Sequence, residues 1–173
     1  TQTIAQRVHE QTGAQWIDAP VSGGVAGAVS GKLVVMAGGP ESTIEELSDV
    51  LTVYSQRTTH MGDVGSGQAT KVANQMIIGG NVAVVAEALN FASNFGVSAP
   101  MLPDALAGGW ADSSVLQVHA RRMAAANYED EVDASIMQKD LDIATDMGRA
   151  TQSPMLITAI VQQLYRELIG AGN

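Results

Sequence analysis

A lysine carried into a glycine-led apolar helix can move protons, and Lys71 has that placement. It follows Gly62-Asp-Val-Gly65-Ser-Gly67-Gln-Ala-Thr70, and between Gln68 and Phe95 the only formal charges are Lys71 and Glu87. A helix so poor in charge reads as buried, and buried lysines are rare unless paired or functional. Set in the first turn, the ammonium would meet the positive end of the helix dipole, and apolar surroundings act in the same direction. Both push its pKa toward neutrality, the range suited to a general acid or base. Asn74 and Gln75 follow at i+3 and i+4, so both amides share the lysine's face and could hold a hydroxyl or carbonyl oxygen. A surface lysine at a helix start satisfies the same pattern.

Other residue groups offer weaker chemistry. Asp18-Ala-Pro-Val-Ser22-Gly23-Gly24 follows an extended run, and bare amides beside a serine hydroxyl make a cradle for a carboxylate. An ordinary turn is the simpler reading of that segment. The Gly62 to Gly67 run has the spacing of a phosphate loop, but Gln68-Ala69 stands where Lys-Ser/Thr would grip phosphate and magnesium. As a dinucleotide fingerprint it lacks the third glycine, which leaves a glycine hinge turning tightly into the helix. Lys139-Asp140, between Met137 and Leu141, sits in a helical pattern where such pairs usually face solvent. His9, His60 and His119 have no ligand-type spacing, and acidic runs such as Glu129-Asp130-Glu131 read as solvated faces, so no metal site is expected. Trp110, after Gly108-Gly109, reads as a packing residue, with pocket lining as the alternative.

The bulk numbers narrow the classes. A chain of 173 residues with a formal charge of -9 lacks the basic surface a nucleic-acid binder needs. With no cysteine there is no thiol chemistry, thiolate zinc or disulfide, which suits a reducing cytoplasm. Thr1 to Gln11 is polar and helical rather than a hydrophobic leader. Val72 to Ala86 is uncharged, but Asn74, Gln75, Gly79, Gly80 and Asn81 interrupt it, which favours a buried helix over a membrane span.

The elements that must position these residues change character along the chain. Before residue 62 helix and strand alternate: helix over 4–11, extended runs at 14–18, 32–37 and 58–61, and an acidic-start helix over 41–51 after Pro40, an α/β pattern. After Gly67 the pattern is helical only, over 68–95, 101–108, 113–125, 133–149 and 154–169. The first of these spans about 28 residues, or roughly 42 Å at the helical rise, long enough to be a spine. The expected boundary lies near 62–67. A chain opening in mid-pattern without an initiating methionine, with too few strands for a parallel sheet of its own, reads as a fragment of a larger protein.

Taken together and in order, Asp18-Ala-Pro-Val-Ser22-Gly23-Gly24, Gly62-x-x-Gly65-x-Gly67-x-x-x-Lys71 and Lys139-Asp-Leu resemble the β-hydroxyacid dehydrogenases, the family of 3-hydroxyisobutyrate dehydrogenase and tartronate semialdehyde (2-hydroxy-3-oxopropionate) reductase. The likeness runs through essentially the whole chain, and Gly108 to Leu116 looks closer to the reductase branch. It implies a mainly α chain: an all-helical domain over 62–173 for substrate and oligomerisation, preceded over 1–61 by the α/β remainder of a Rossmann-type cofactor domain. It implies Lys71 as the catalytic lysine, Ser22, Gly23 and Gly24 as the substrate carboxylate site, and Lys139 as a contact to the nicotinamide. The family places an asparagine four residues after the lysine; here that position is Gln75, with Asn74 before it, so both are substrate-binding candidates. The cofactor would be NAD or NADP, though the Gly-x-Gly-x-x-Gly loop that holds its pyrophosphate is missing from these residues. The implied partners are a small hydroxy acid and further copies of the chain, as a homodimer or homotetramer, with neither nucleic acid nor membrane. The alternative is a non-catalytic helical oligomerisation module derived from the same fold.

Overall fold

The computed structural model describes residues 1–128 and 133–172, and the chain divides into two compact units, Thr1–Asn74 and Gln75–Asn173. It is mainly helical with one small sheet, as the sequence implies. In the first unit, α1 (Gln2–Thr12) stops at Gly13, whose φ of 71° lets its N–H turn back onto the His9 carbonyl at 2.8 Å. Three strands follow in the order β1-β2-β3: β1 (Val21–Ser22), β2 (Leu33–Gly38) and β3 (Ser55–Gly62). β1 runs antiparallel to β2, while β3 runs parallel to it after a crossover through α3 (Glu41–Glu46) and α4 (Ser48–Thr52).

β2 is the apolar run Leu-Val-Val-Met-Ala-Gly, nearly all of it buried, as expected of a strand covered on both faces. Val35 and Ala37 pack with Ile44 and Leu51 from the crossover helices, and Ile17, Val21, Leu47 and Tyr54 close the cluster. The sequence reading needs three corrections here. The run at 14–18 makes only an isolated bridge from Asp18 to Gly38, and the strand proper is Val21–Ser22. A six-residue helix, α2 (Gly24–Val29), is absent from the sequence reading because Gly-Val-Ala-Gly-Ala-Val has poor helix propensity. β3 is longer than 58–61, because pairing with the buried β2 carries the polar residues Ser55 to Arg57 into the ladder.

α5 (Ser66–Asn94) runs on into the second unit as one continuous helix. Beyond it come a 3₁₀ turn (Ala99–Met101), α6 (Leu102–Leu106), a π-helical stretch (Leu116–Ala120) leading into α7 (Arg121–Ala125), α8 (Ala134–Thr151) and α9 (Leu156–Gly170). Val85 and Leu89 of α5 pack with Leu116 and Ala120, surrounded by Leu102, Leu106 and Met123. α8 and α9 form a hairpin with Leu141, Ala144 and Val161 inside. Between them Asp142 accepts from Gln138, Gln162 and Arg166, so a polar network as well as an apolar seam fixes their register.

The expectation that α5 is buried fails within this chain. Only 17% of its most apolar 18-residue window is buried, and Ile77, Val84 and Phe91 are each at least 60% exposed. By length and composition alone this helix could cross a membrane, the one such helix among the described residues. Trp110 does not pack either: it is fully exposed, on a loop braced by the Gly108 N–H to Asp112 at 2.8 Å.

Three carboxylates of the second unit are held below their ordinary pKa: Asp104 by the Arg121 guanidinium at 2.6 Å, Asp112 by the Gly108 N–H and the Gln117 amide, and Asp133 by capping Ser135 at the start of α8. A carboxyl whose folded pKa is depressed stabilises the fold above its unfolded value, about 3.9. That contribution is lost as pH falls through the lower folded values. The thermal midpoint should therefore decline on acidification below about pH 4, and Asp112→Asn should shrink the decline. An identical acid profile in melting curves of the two proteins would refute the assignment for Asp112.

Candidate active site

The first unit builds a junction where β2 ends, α5 begins and the Asp18 segment passes between. Asp18 is 4% exposed, with its main chain bonded both ways to Gly38, at 2.9 and 2.8 Å. Its side chain faces the start of α5: Oδ1 accepts the Gly65 N–H at 2.6 Å and Oδ2 accepts the Gln68 N–H at 2.7 Å. These donors belong to a helix N-terminus, where amides have no partner within the helix. The carboxylate satisfies two at once and offsets the positive end of the dipole.

This junction explains the glycine run more fully than a hinge does. Gly62 and Gly65 have φ of 121° and 99°, so both need glycine's backbone freedom. Gly67 is helical, and its requirement is contact: a Cβ there would lie 2.4 Å from the Met36 carbonyl oxygen and 2.7 Å from that of Asp18. Gly38 faces it with the same constraint, since a Cβ would lie 2.7 Å from Asp18 Oδ1 and 2.8 Å from the Gly67 nitrogen. His60 ties the sheet ends nearby: its Nε2 lies 2.9 Å from the Gly39 carbonyl and 3.0 Å from that of Gly62, so this nitrogen carries the proton.

The residues singled out from the sequence lie on these elements as follows. Ser22 is half-buried at the end of β1, opposite Val34 of β2. Gly23 and Gly24 follow with φ of 129° and 61°, and the Gly23 carbonyl accepts the Gly27 N–H at 3.0 Å to open α2. The turn thus leaves exposed glycine backbone directly after the serine hydroxyl. Lys71 and Asn74 are half-buried on α5. Because α5 starts at Ser66, Lys71 is in its second turn, not the first, beyond the reach assumed for the helix dipole.

In the second unit Gln75 and Lys139 meet at one carboxylate. Gln75 Nε2 donates to Asp140 Oδ2 at 2.6 Å, and Lys139 Nζ lies 2.8 Å from Asp140 Oδ1. Lys139 stays largely exposed while Asp140 is mostly covered, so the pair is a tethered cation rather than an idle surface bridge. Neither of two open surface concavities, one beside Ile4 and Arg7 and one beside Leu89 and Met123, includes a predicted site residue. No group of three or more metal-ligating side chains occurs among the described residues. Asp18 and Asp140 are the residues the sequence reading missed as positioning groups. The one signal for Asp18 was an acid closing an otherwise apolar run, Trp16-Ile17-Asp18-Ala19.

Comparison with known families adds an independent line. The family described as NAD-binding of NADP-dependent 3-hydroxyisobutyrate dehydrogenase matches residues 65–173, and the NAD binding domain of 6-phosphogluconate dehydrogenase matches residues 1–62. The chain belongs to the β-hydroxyacid dehydrogenase family. Within that family, it is 37% identical over its full 173 residues to the 2-hydroxy-3-oxopropionate reductase of Escherichia coli (strain K12), covering 59% of that protein. It is 34% identical to human mitochondrial 3-hydroxyisobutyrate dehydrogenase over 94% of this chain and 51% of that one. Of solved structures, a 3-hydroxyisobutyrate dehydrogenase from Salmonella typhimurium superposes with a TM-score of 0.87 at 26% identity, over 99% of this chain and 60% of that one. The Mycobacterium tuberculosis 3-hydroxyisobutyrate dehydrogenase, solved with L-serine, gives 0.85 at 31% identity, over 97% and 61%. The chain thus spans a little over half the length of the curated relatives it matches.

Proposed function

We propose that the protein carrying this chain transfers a hydride reversibly between NAD(H) or NADP(H) and a short β-hydroxy acid or its semialdehyde, with 3-hydroxyisobutyrate and 2-hydroxy-3-oxopropionate as the first substrates to try. The observation that carries the reading is a lysine retained at the head of α5, on a junction tight enough to need glycine at both Gly38 and Gly67. The nicotinamide, when bound, supplies or accepts the hydride. In reduction protonated Lys71 donates a proton to the nascent alkoxide, and in oxidation neutral Lys71 takes the hydroxyl proton. Ser22 Oγ and the Gly23 and Gly24 amides anchor the substrate carboxylate and so fix the reacting carbon. Asn74 and Gln75 are both substrate-contact candidates, and the Gln75 side-chain N–H is also engaged by Asp140. Lys139, exposed and oriented by Asp140, fits a contact to the cofactor. In domain terms, 1–61 is the remainder of the cofactor domain and carries the Ser22-Gly23-Gly24 turn, and 62–173 is the helical domain for substrate and assembly, with Lys139 reaching the cofactor.

The test of the reading is Lys71→Ala in the full-length enzyme, which should abolish turnover and leave the fold intact. A non-catalytic module derived from this fold would not need the lysine, and retained activity would favour that alternative.

We place the protein in the cytoplasm, in keeping with a chain that lacks cysteine. The apolar surface of the second unit is part of the proposal. Ile77, Val84 and Phe91 form one exposed stripe on α5, Phe95 is exposed just past its end, and Leu156, Ile157 and Ile160 are exposed on α9. Large apolar side chains left exposed on a monomer are a liability in water, and a second copy of the chain is their simplest cover. Sedimentation velocity at micromolar concentration in detergent-free buffer should show a dimer or tetramer. A stable, soluble monomer would overturn the assembly.

A further inference from the structure

We propose that Asp18 is a positioning residue for catalysis, the common reference that sets Lys71 against the Ser22-Gly23-Gly24 turn; the proposal rests on the functional reading above. Two chemical segments of the first unit diverge from this residue. Ser22 lies four residues downstream along the same strand-like segment, pinned opposite Val34 of β2. Lys71 lies three residues beyond Gln68, whose N–H is held by Asp18 Oδ2. A helix transmits the position of its first turn to the next with little play, so wherever Asp18 holds Gly65 and Gln68, Lys71 follows.

The site is built for this grip. Asp18 cannot drift, because its own N–H and C=O are both bonded to Gly38 at the end of β2. It cannot be pushed from the other side without consequence, because Gly38 and Gly67 approach to distances that leave no room for a Cβ on either. A carboxylate is the side chain that fits: it offers one acceptor oxygen to each of two N–H groups, whereas an amide offers one oxygen and turns a donor against the second N–H. Asp18 touches neither reacting atoms nor cofactor in this reading. It acts through α5.

Asp18→Asn in the full-length enzyme tests the proposal. Exchange of the Gly65 and Gln68 amide protons should accelerate by about tenfold or more. The value of kcat should fall by about tenfold or more, with the KM for the cofactor nearly unchanged, because misplacing a catalytic group acts on the chemical step. Ile44→Val, a core change remote from the junction, serves as the control: it should lower the melting temperature without lowering kcat. Should the asparagine variant fail to fold, Asp18→Ser keeps one acceptor oxygen in a smaller side chain and gives up the two-point grip, and kcat should still drop several-fold. Faster exchange with unchanged kcat would overturn the positioning role. Unprotected Gly65 and Gln68 amides in the wild-type protein would overturn the clamp itself. Both results differ from the failure of the functional reading, which Lys71→Ala reports on its own.

Discussion

Lys71→Ala is expected to lower kcat by about a thousandfold, within the range a positioned proton-transfer group supplies. Alanine leaves the carboxylate turn at Ser22 to Gly24 in place, so the substrate KM should change far less than kcat, the signature of an interaction made in the transition state. The fold should survive. Lys71 is half-buried on an α-helix, alanine has the highest helix propensity, and the adjoining clamp uses Asp18 and main-chain N–H groups rather than the lysine. Far-ultraviolet circular dichroism should overlay with the parent. Lys71→Arg separates proton transfer from charge: a guanidinium stays protonated throughout the working pH range, so oxidation should be lost although the positive charge remains. Activity of the arginine variant close to the parent would show that charge alone suffices.

The second large effect is structural, and its sign is the test. If Gly67 were only a glycine near a helix start, alanine would gain about 1 kcal/mol of helix propensity. The packing argues the other way. The new Cβ would sit 2.4 Å from the Met36 carbonyl oxygen, 2.7 Å from the Asp18 carbonyl oxygen and 2.8 Å from Asp18 Oδ2. Two of these atoms are backbone in the sheet and its bridge, and the third belongs to a buried carboxylate, so none can yield as a flexible side chain would. Gly67→Ala should therefore destabilise by about 3 kcal/mol, the upper range of overpacking. For a chain of this size that lowers the melting temperature by roughly 6–12 °C. Calorimetry reads it directly, and a melting point unchanged or raised would show that α5 does not approach β2 as closely as described. Since the relief available is a shift of α5, the variant should also lose activity by moving Lys71.

Parts of this were legible from residues alone. The buried strand over 32–37 stood out because an unbroken apolar run stopped by Gly38-Gly39-Pro40 has few other uses. The helices over 68–95, 133–149 and 154–169 were placed to within a few residues for the same reason of period and punctuation. α2 was not legible, since its glycines and valines disfavour helix locally and only packing against Leu33 supports it. The exposure of α5 is not legible either, because hydrophobicity reports a preference for leaving water and does not say whether the same chain provides the cover.

The sequence by itself determined the family and the order of its motifs along the chain. Lysine, serine and the glycines are chosen for what their groups can do, and such choices remain visible one residue at a time. Tertiary structure alone decided the role of Asp18, the reason Gly67 is glycine, and the meeting of Gln75 and Lys139 at Asp140. Each of these depends on atoms brought within 3 Å by residues tens of positions apart. No local pattern records such an approach, because its cause is the packing of one element's backbone against another's.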